Sequence, residues 1–584
     1  MPSRFARWRG PALVAAAVVA LVGPWLAQVA SQGLPRRAEQ ILLLLGLGAL
    51  CWRLGKELGR AWRAADGERR RTARWLAGLV ALALAVRFVG LSHEALGRYY
   101  LDEGTYYHHA AKINAGEPFR PSFVYPHFLY YSGAWVLWLV DLVPGWKAFS
   151  TWLLGSPDPL GAAWLAIRGI NAALGALVVL PVFFLGRRLG GSLGAGALAA
   201  GFAIASPLLN EFSHLIISDL PGAVFAAVAA ALAAAALDRE RTSLYAGAGV
   251  AAGLAAVSKY PAGVAAAAIV ATWLVARWRH RSWNWGLFLA GASALAAFLF
   301  FLPSLFVFPS LAFTGERGMF FGARQYSKGG WIGVQPASNG GFYLSELAGD
   351  LAWPAVALGL LGLGWALAKP LRSGDRVRLT AFIAFPLVYF LLIGAMNMVV
   401  RRNALPLVPL AAVLAAVGVA RLATVAPFTR LGRWALPALA AVVLAGPAWA
   451  TVRQAVGFAR PSTRDLAQAW IQTHVPAGST VVKESYTPEL DPAVYRLVKG
   501  RFVARMTLEE LRSPENDVVV LADTAFQRFL SGDQAREEHH EEFGRRYREI
   551  LGTFPELARF EPTPWRRGPT ILVLGVPRPA APTP

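Results

Sequence analysis

The chain has one cysteine, five methionines and little charge. Cys51 sits among Leu and Gly in an apolar run, so no intramolecular disulfide can form and a thiol-ligated metal is not expected. Stability must come from packing. Asp, Glu, Lys and Arg make up 16% of the 584 residues, and 55% of the chain is hydrophobic. Soluble chains carry about 25% charged residues. The deficit puts much of the surface against lipid and excludes a disordered tail protein or a disulfide scaffold. Acidic residues are the scarcer sign, 35 against 57 basic ones, leaving a formal net charge of +22. Such an excess fits a phosphate-binding footprint on nucleic acid or, in a membrane protein, topology. Glycine-rich pieces such as Gly190-Gly191 lack any phosphate-loop pattern.

What the chain does have is long apolar runs. A helix crosses hydrocarbon with about 20 mainly apolar residues. Candidates lie at 11–31, 39–53, 75–92, 126–143, 164–186, 191–209, 218–237, 243–257, 261–277, 285–308, 350–368, 378–397, 402–420 and 433–451. The first follows Arg4, Arg7 and Arg9, and the poor cleavage site through Gln28, Val29 and Ala30 reads as an uncleaved anchor rather than a signal peptide. Further basic clusters fall at Arg69, Arg70, Arg71 and Arg74, at Arg187 and Arg188, at Arg239 and Arg241, and at Arg277, Arg279 and Arg281. Others fall at Lys369, Arg372, Arg376 and Arg378, and at Arg421, Arg430 and Arg433. Short cytoplasmic loops hold the Lys and Arg excess. Every cluster is cytoplasmic if all candidates span except 126–143, with Arg36 and Arg37 the exception. That excluded segment is aromatic-rich and bounded by Pro126 and Pro144, which suits a helix lying in the interface.

The expected architecture is a polytopic α-helical membrane protein with about 13 transmembrane helices and a small C-terminal α/β extracytoplasmic domain. Residues 1–74 supply two N-terminal segments and a cytoplasmic link. Residues 75–452 form the membrane domain, with outer loops 93–163 and 309–349, and 453–584 the outer domain. In the tail, Ser462 with Asp465 and Thr507 with Glu510 have capping-box spacing. Stretches 479–485, 516–522 and 571–577 are β-like. The tail mixes Glu509-Glu510 and Glu537-Glu538 with its arginines and offers no basic stripe, so nucleic acid is not an expected partner. The Ala-rich runs read as closely packed membrane helices.

An ionisable group at membrane depth costs about 2.5–3.5 kcal/mol on insertion scales, so each needs a reason. After the third candidate come Asp102 and Glu103, adjacent carboxylates embedded in tyrosines. Such a pair could take a proton from a hydroxyl nucleophile or ligate a divalent cation, while Tyr106 and Tyr125 offer stacking faces to a sugar. An interfacial aromatic belt with an exposed acidic loop is the plainer account. Asp219 opens a helix, where a carboxylate also suits the dipole. Lys259 lies at a hairpin tip, where snorkelling would explain it equally. Arg168 stands at an outer helix end, and Arg401 and Arg402 lie outside against the charge rule. Arginine suits bidentate phosphate binding. Carboxylates and cations meeting on one membrane face fit a lipid-linked phosphate. His108, His109 and His127 lack a fixed metal-ligand spacing.

Laid out in order, these residues resemble the polyprenyl-phosphate-dependent glycosyltransferases of the type-C membrane fold, the superfamily of protein O-mannosyltransferases and lipid A aminoarabinose transferases. Asp102-Glu103-Gly-Thr-Tyr106 resembles that family's Asp-Glu-x-x-Tyr element, and Tyr125-Pro126-His127-Phe-Leu-Tyr-Tyr is similar to its Pro-Pro-Leu-Tyr-Tyr segment. Arg168-Gly-Ile-Asn, Leu185-Gly-Arg-Arg, Ser206-Pro207 with Ser218-Asp219, Gly253-Leu-Ala with Lys259-Tyr260, and Arg402-Asn-Ala-Leu-Pro continue the likeness over roughly 75–425. His127 stands where many relatives have a second Pro, and Asn403 where they have Tyr. The segments 11–31 and 39–53 have no counterpart.

The resemblance implies transfer of a sugar from a polyprenyl phosphate to a hydroxyl acceptor at the outer face of a bacterial-type inner or plasma membrane, with inversion. It implies Asp102 as general base and Glu103 orienting the acceptor or a divalent cation. Arg402, Lys259, Arg168 and Arg401 would meet the donor phosphate, and Asp219, Tyr106, Tyr125 and His127 the substrates. No cofactor is otherwise expected. A transporter or flippase of lipid-linked sugars is the alternative, although the inverted repeats of many transporters are not visible.

Overall fold

The computed structural model of the protein describes Lys56 and residues 66–577 apart from 96, 98–100, 118–120, 144, 240, 281–282, 329–335, 369–373 and 532–538. The candidate segments 11–31 and 39–53, with Arg36 and Arg37, lie outside the described residues.

The apolar runs form helices. Among the described residues, Pro159–Gly190, Asp219–Asp238, Tyr260–Arg279, Arg401–Leu422 and Phe428–His474 are long and apolar enough to cross a membrane. Two bent pairs join them, Leu193–Ala205 with Pro207–Ser213 at 56° and Asn339–Leu351 with Trp353–Gly364 at 113°. Thr242–Ser258, Gly286–Phe300 and Ala381–Gly394 are shorter apolar helices. The first bend has a local cause. Pro207 has no N–H to continue the preceding helix, and Ser206 caps the new one by accepting from Leu209 N–H at 3.0 Å. Phe128–Asp141, within the segment expected at the interface, has 14 residues, about 21 Å of helix, and buries Leu129, Tyr130 and Tyr131.

Small residues let the membrane helices approach closely. The helix Thr242–Ser258 lies so near Gly286–Phe300 that a Cβ on Gly249 would stand 2.1 Å from the Ala290 carbonyl oxygen, and one on Gly253 2.2 Å from that of Ala294. A large core of alanines, leucines and phenylalanines fills the bundle. A second core, built on Tyr106, Phe123, Tyr130, Tyr131 and Trp164, lies beneath the helix that carries Asp102.

Beyond the bundle, five strands form one sheet among the described residues: β1 (Thr480–Lys483), β2 (Arg496–Lys499), β3 (Val518–Ala522), β4 (Glu556–Phe560) and β5 (Ile571–Gly575), in the order β2-β1-β3-β5-β4. β1 runs parallel to β2 and β3, and β5 antiparallel to β3 and β4. The three central strands are buried throughout, as their near-continuous Val and Leu requires when both sheet faces are covered. These are the three β-like stretches of the sequence; the edges β2 and β4 carry Arg, Lys and Glu and lack that signature. Both capping boxes form. Ser462 Oγ accepts from Asp465 N–H at 3.2 Å while Asp465 accepts from Ser462 N–H at 2.8 Å, and Thr507 and Glu510 repeat the pattern at 3.2 and 2.7 Å.

Candidate active site

The helix Leu101–Ala115 opens with the two carboxylates in its first turn, where the positive end of the helix dipole favours them. Consecutive residues on a helix point about 100° apart, and the pair divides accordingly. Asp102 faces the 3₁₀ segment Arg401–Leu407 and forms an ion pair with Arg402. Its Oδ1 also accepts from the Tyr125 hydroxyl at 3.3 Å. The Asp102 side chain keeps 23% of its surface exposed and Arg402 15%.

Glu103 turns inward and is fully enclosed. Arg168 Nε and Nη2 donate to its two oxygens at 2.8 and 2.7 Å, and Ile216 N–H donates to Oε1 at 2.7 Å. Arg168 Nη1 reaches the carbonyls of Leu91 at 3.2 Å and His93 at 2.5 Å. Nearby, Asn171 Nδ2 donates to the Leu215 and Ile217 carbonyls at 2.6 and 2.8 Å. The Glu103–Arg168 pair thus ties together four chain segments: the two helices that carry it, the stretch 91–93 and the backbone at Ile216. Both of its members were expected to meet substrate; in the folded chain each is committed to the other.

The remaining expected residues flank this pair. Lys259, at the C-cap of Thr242–Ser258, forms a buried ion pair with Asp219 and donates to Asn403 Oδ1 at 2.9 Å. Asn403 is held by contacts with the Met398 carbonyl at 3.1 Å and Tyr343 Oη at 3.3 Å. The Tyr106 hydroxyl lies 2.7 Å from Ser218 Oγ, and its ring meets those of Tyr125 and Tyr130 at 5.7 and 5.8 Å. His127 is enclosed: Nδ1 lies 2.8 Å from Ser304 Oγ and Nε2 3.2 Å from the Ser122 carbonyl. Both ring nitrogens are therefore engaged within the protein. Arg401 turns away from Asp102, donating to Glu346 at 2.7 Å and Glu211 at 3.4 Å.

A divalent cation between Asp102 and Glu103 does not fit this arrangement, because Glu103 already receives three donors. Among the described residues no group of three or more His, Cys, Asp or Glu could hold a metal ion. Sequence reading missed the partners Glu211 and Glu346, and also Asp350, whose oxygens accept from Ser206 Oγ at 2.6 Å and Leu208 N–H at 2.7 Å. A lone acid in an apolar run was the available signal for Asp350.

Residues 151–306 match the family model of dolichyl-phosphate-mannose-protein mannosyltransferase. Over that stretch, well under half of its length, the chain is similar to this family. The matched stretch includes Arg168, Asp219 and Lys259. No curated protein matches the chain. Among solved structures, the chain is similar to ArnT from Cupriavidus metallidurans in the apo state, at 18% identity and a TM-score of 0.49, covering 86% of this chain and 98% of that one. It is similar to the same protein bound to undecaprenyl phosphate, at 18% identity and a TM-score of 0.45, covering 85% and 98%. It is also similar to the apo oligosaccharyltransferase of Archaeoglobus fulgidus, at 14% identity and a TM-score of 0.45, covering 80% and 71%. Apolar helices of membrane-crossing length accompany that likeness among the described residues.

Proposed function

We propose that the protein is a glycosyltransferase that moves a sugar from a polyprenyl phosphate to a hydroxyl on a protein, glycolipid or polysaccharide, with inversion at the anomeric carbon and Asp102 as general base. The observation that carries this reading is the asymmetry of the acidic pair. Asp102 is partly exposed beside a cation and a tyrosine hydroxyl, whereas Glu103 is sealed against Arg168.

In the reaction the acceptor oxygen attacks the anomeric carbon, its proton passes to Asp102, and the bond from that carbon to the phosphate oxygen breaks. The polyprenyl phosphate leaves with the bonding electrons. Arg402 receives the charge that grows on the departing phosphate, the kind of interaction that lowers a transition state more than a ground state. In the free enzyme Arg402 holds Asp102; a bound phosphate takes over the guanidinium and frees the carboxylate to act as a base. Lys259 lies within electrostatic reach of both Asp102 and Arg402 and, braced by Asp219 and Asn403, adds positive charge behind the phosphate. Tyr125 lines the sugar site, and Tyr106, buried against its ring, supports it from within. Glu103, Arg168 and His127 support the site through the protein interior without contacting substrate.

The same reading includes about 13 transmembrane helices, a site facing the outside of a bacterial-type inner or plasma membrane, and an extracytoplasmic α/β domain within 453–584. It keeps 1–74 as an added N-terminal unit and 75–452 as the catalytic membrane domain. Transfer from a radiolabelled polyprenyl-phosphate sugar in purified membranes tests it. The wild-type chain should form a new glycosidic product that Asp102→Asn forms far more slowly, and translocation of the sugar-lipid without any such product would favour a flippase.

A further inference from the structure

Arg401 and Arg402 open one 3₁₀ segment and point to different partners. Arg402 meets Asp102, while Arg401 lies between Glu346, at 2.7 Å, and Glu211, at 3.4 Å. Glu211, on the bent helix Pro207–Ser213, gives its other oxygen to Arg567 Nη2 at 3.0 Å. Arg567 lies between β4 and β5 and is itself held. Its guanidinium sits 4.2 Å over the ring of Phe458, and its carbonyl accepts from Thr463 N–H at 3.0 Å. Alternating charges therefore run from the C-terminal α/β region to the residue next to Arg402.

The exposure of these groups indicates what the row is for. Glu211 is 23%, Arg567 29% and Arg401 51% exposed. Ion pairs that wet contribute little to stability, so the row adds little to folding. Its effect is geometric. Arg401 is one peptide from Arg402, and a shift of the first moves the second relative to Asp102.

We propose that Glu211, anchored by Arg567, is a positioning residue that sets Arg402 for the donor phosphate and so couples docking of the C-terminal α/β region to donor binding. The proposal rests on Arg402 as a phosphate-binding residue. It is tested with the full chain in lipid nanodiscs, measuring the affinity for undecaprenyl phosphate together with the thermal midpoint. Arg402→Ala should weaken binding. Glu211→Gln and Arg567→Ala should each weaken it by about five- to tenfold with an unchanged midpoint, and Arg567→Lys should recover part of the loss. The double variant Glu211→Gln with Arg402→Ala should bind no worse than Arg402→Ala alone. Arg559→Ala, which breaks exposed pairs on β4, should match wild type. Wild-type affinity in Glu211→Gln and Arg567→Ala, losses fully additive with Arg402→Ala, or losses accompanied by a lowered midpoint would each overturn the coupling. If Arg402→Ala itself binds normally, the phosphate role of Arg402 fails and the coupling with it, while the Asp102→Asn transfer assay still reports on the base.

Discussion

Arg168 grips both oxygens of Glu103, at 2.8 and 2.7 Å, with solvent shut out from either side chain. The neighbouring Asp102 remains partly open and is paired with a different arginine. Substitutions at the two carboxylates should therefore fail in different ways. Glu103→Gln leaves a buried guanidinium without its counter-charge, a loss of about 3–5 kcal/mol for such pairs. A clearly lowered thermal midpoint in detergent is the expected result, and an unchanged one would refute the structural role.

Asp102→Asn should keep the thermal midpoint of the wild type. Transfer from a radiolabelled lipid-linked sugar should fall by about 10²–10⁴-fold, the usual contribution of a positioned general base. Full transfer would remove Asp102 from the mechanism.

Arg402→Lys keeps the charge but replaces a planar fork with a point charge. The turnover rate should drop by at least about tenfold, with a smaller change in the KM for acceptor, because the guanidinium meets charge that develops on the leaving phosphate. Equal effects on acceptor KM and turnover would argue against that assignment.

Gly249→Ala introduces a Cβ 2.1 Å from the Ala290 carbonyl oxygen. The contact is backbone, so no side chain can swing aside, and the two helices must part. A cost of about 1–3 kcal/mol is expected for overpacking of this kind, measured as earlier thermal unfolding. Gly291→Ala, where a Cβ meets nothing within 4 Å, serves as the control.

Glu484 lies in the C-terminal α/β region, outside the candidate membrane-crossing helices. Burial pushes its carboxyl up to about 7, although Tyr547 Oη, Ala522 N–H and Val503 N–H all donate to it. The folded carboxyl thus holds its proton more tightly than the unfolded one, with its ordinary value of 4.5. Its contribution to stability is full below about pH 4.5, declines as pH rises towards 7 and is level above that. Hydrogen exchange of segments 480–485 and 518–523, corrected for intrinsic rates, should show protection falling across that window in wild type. In Glu484→Gln the slope should flatten, and a persisting slope would assign it to another group.

The sequence by itself determined the membrane character, the helical bundle, the two capping boxes and the central strands. These follow from composition and from contacts within a few residues. The polar groups of the site stood out for a related reason, since ionisable residues in an apolar chain are costly without a partner or a task. Which residue partners which was beyond its reach. Glu103 and Arg168 are 65 positions apart, and Asp102 and Arg402 are 300 apart. Two adjacent acids look alike in one dimension, and only the packing of the helix Leu101–Ala115 decided that one faces a sealed arginine and the other an opening. The tertiary structure likewise turned Arg401 away from Asp102 and brought Glu211 within reach of Arg567, 356 positions away. Charges find partners through space, and the distances that set their energies exist only once the bundle and the C-terminal α/β region have packed together.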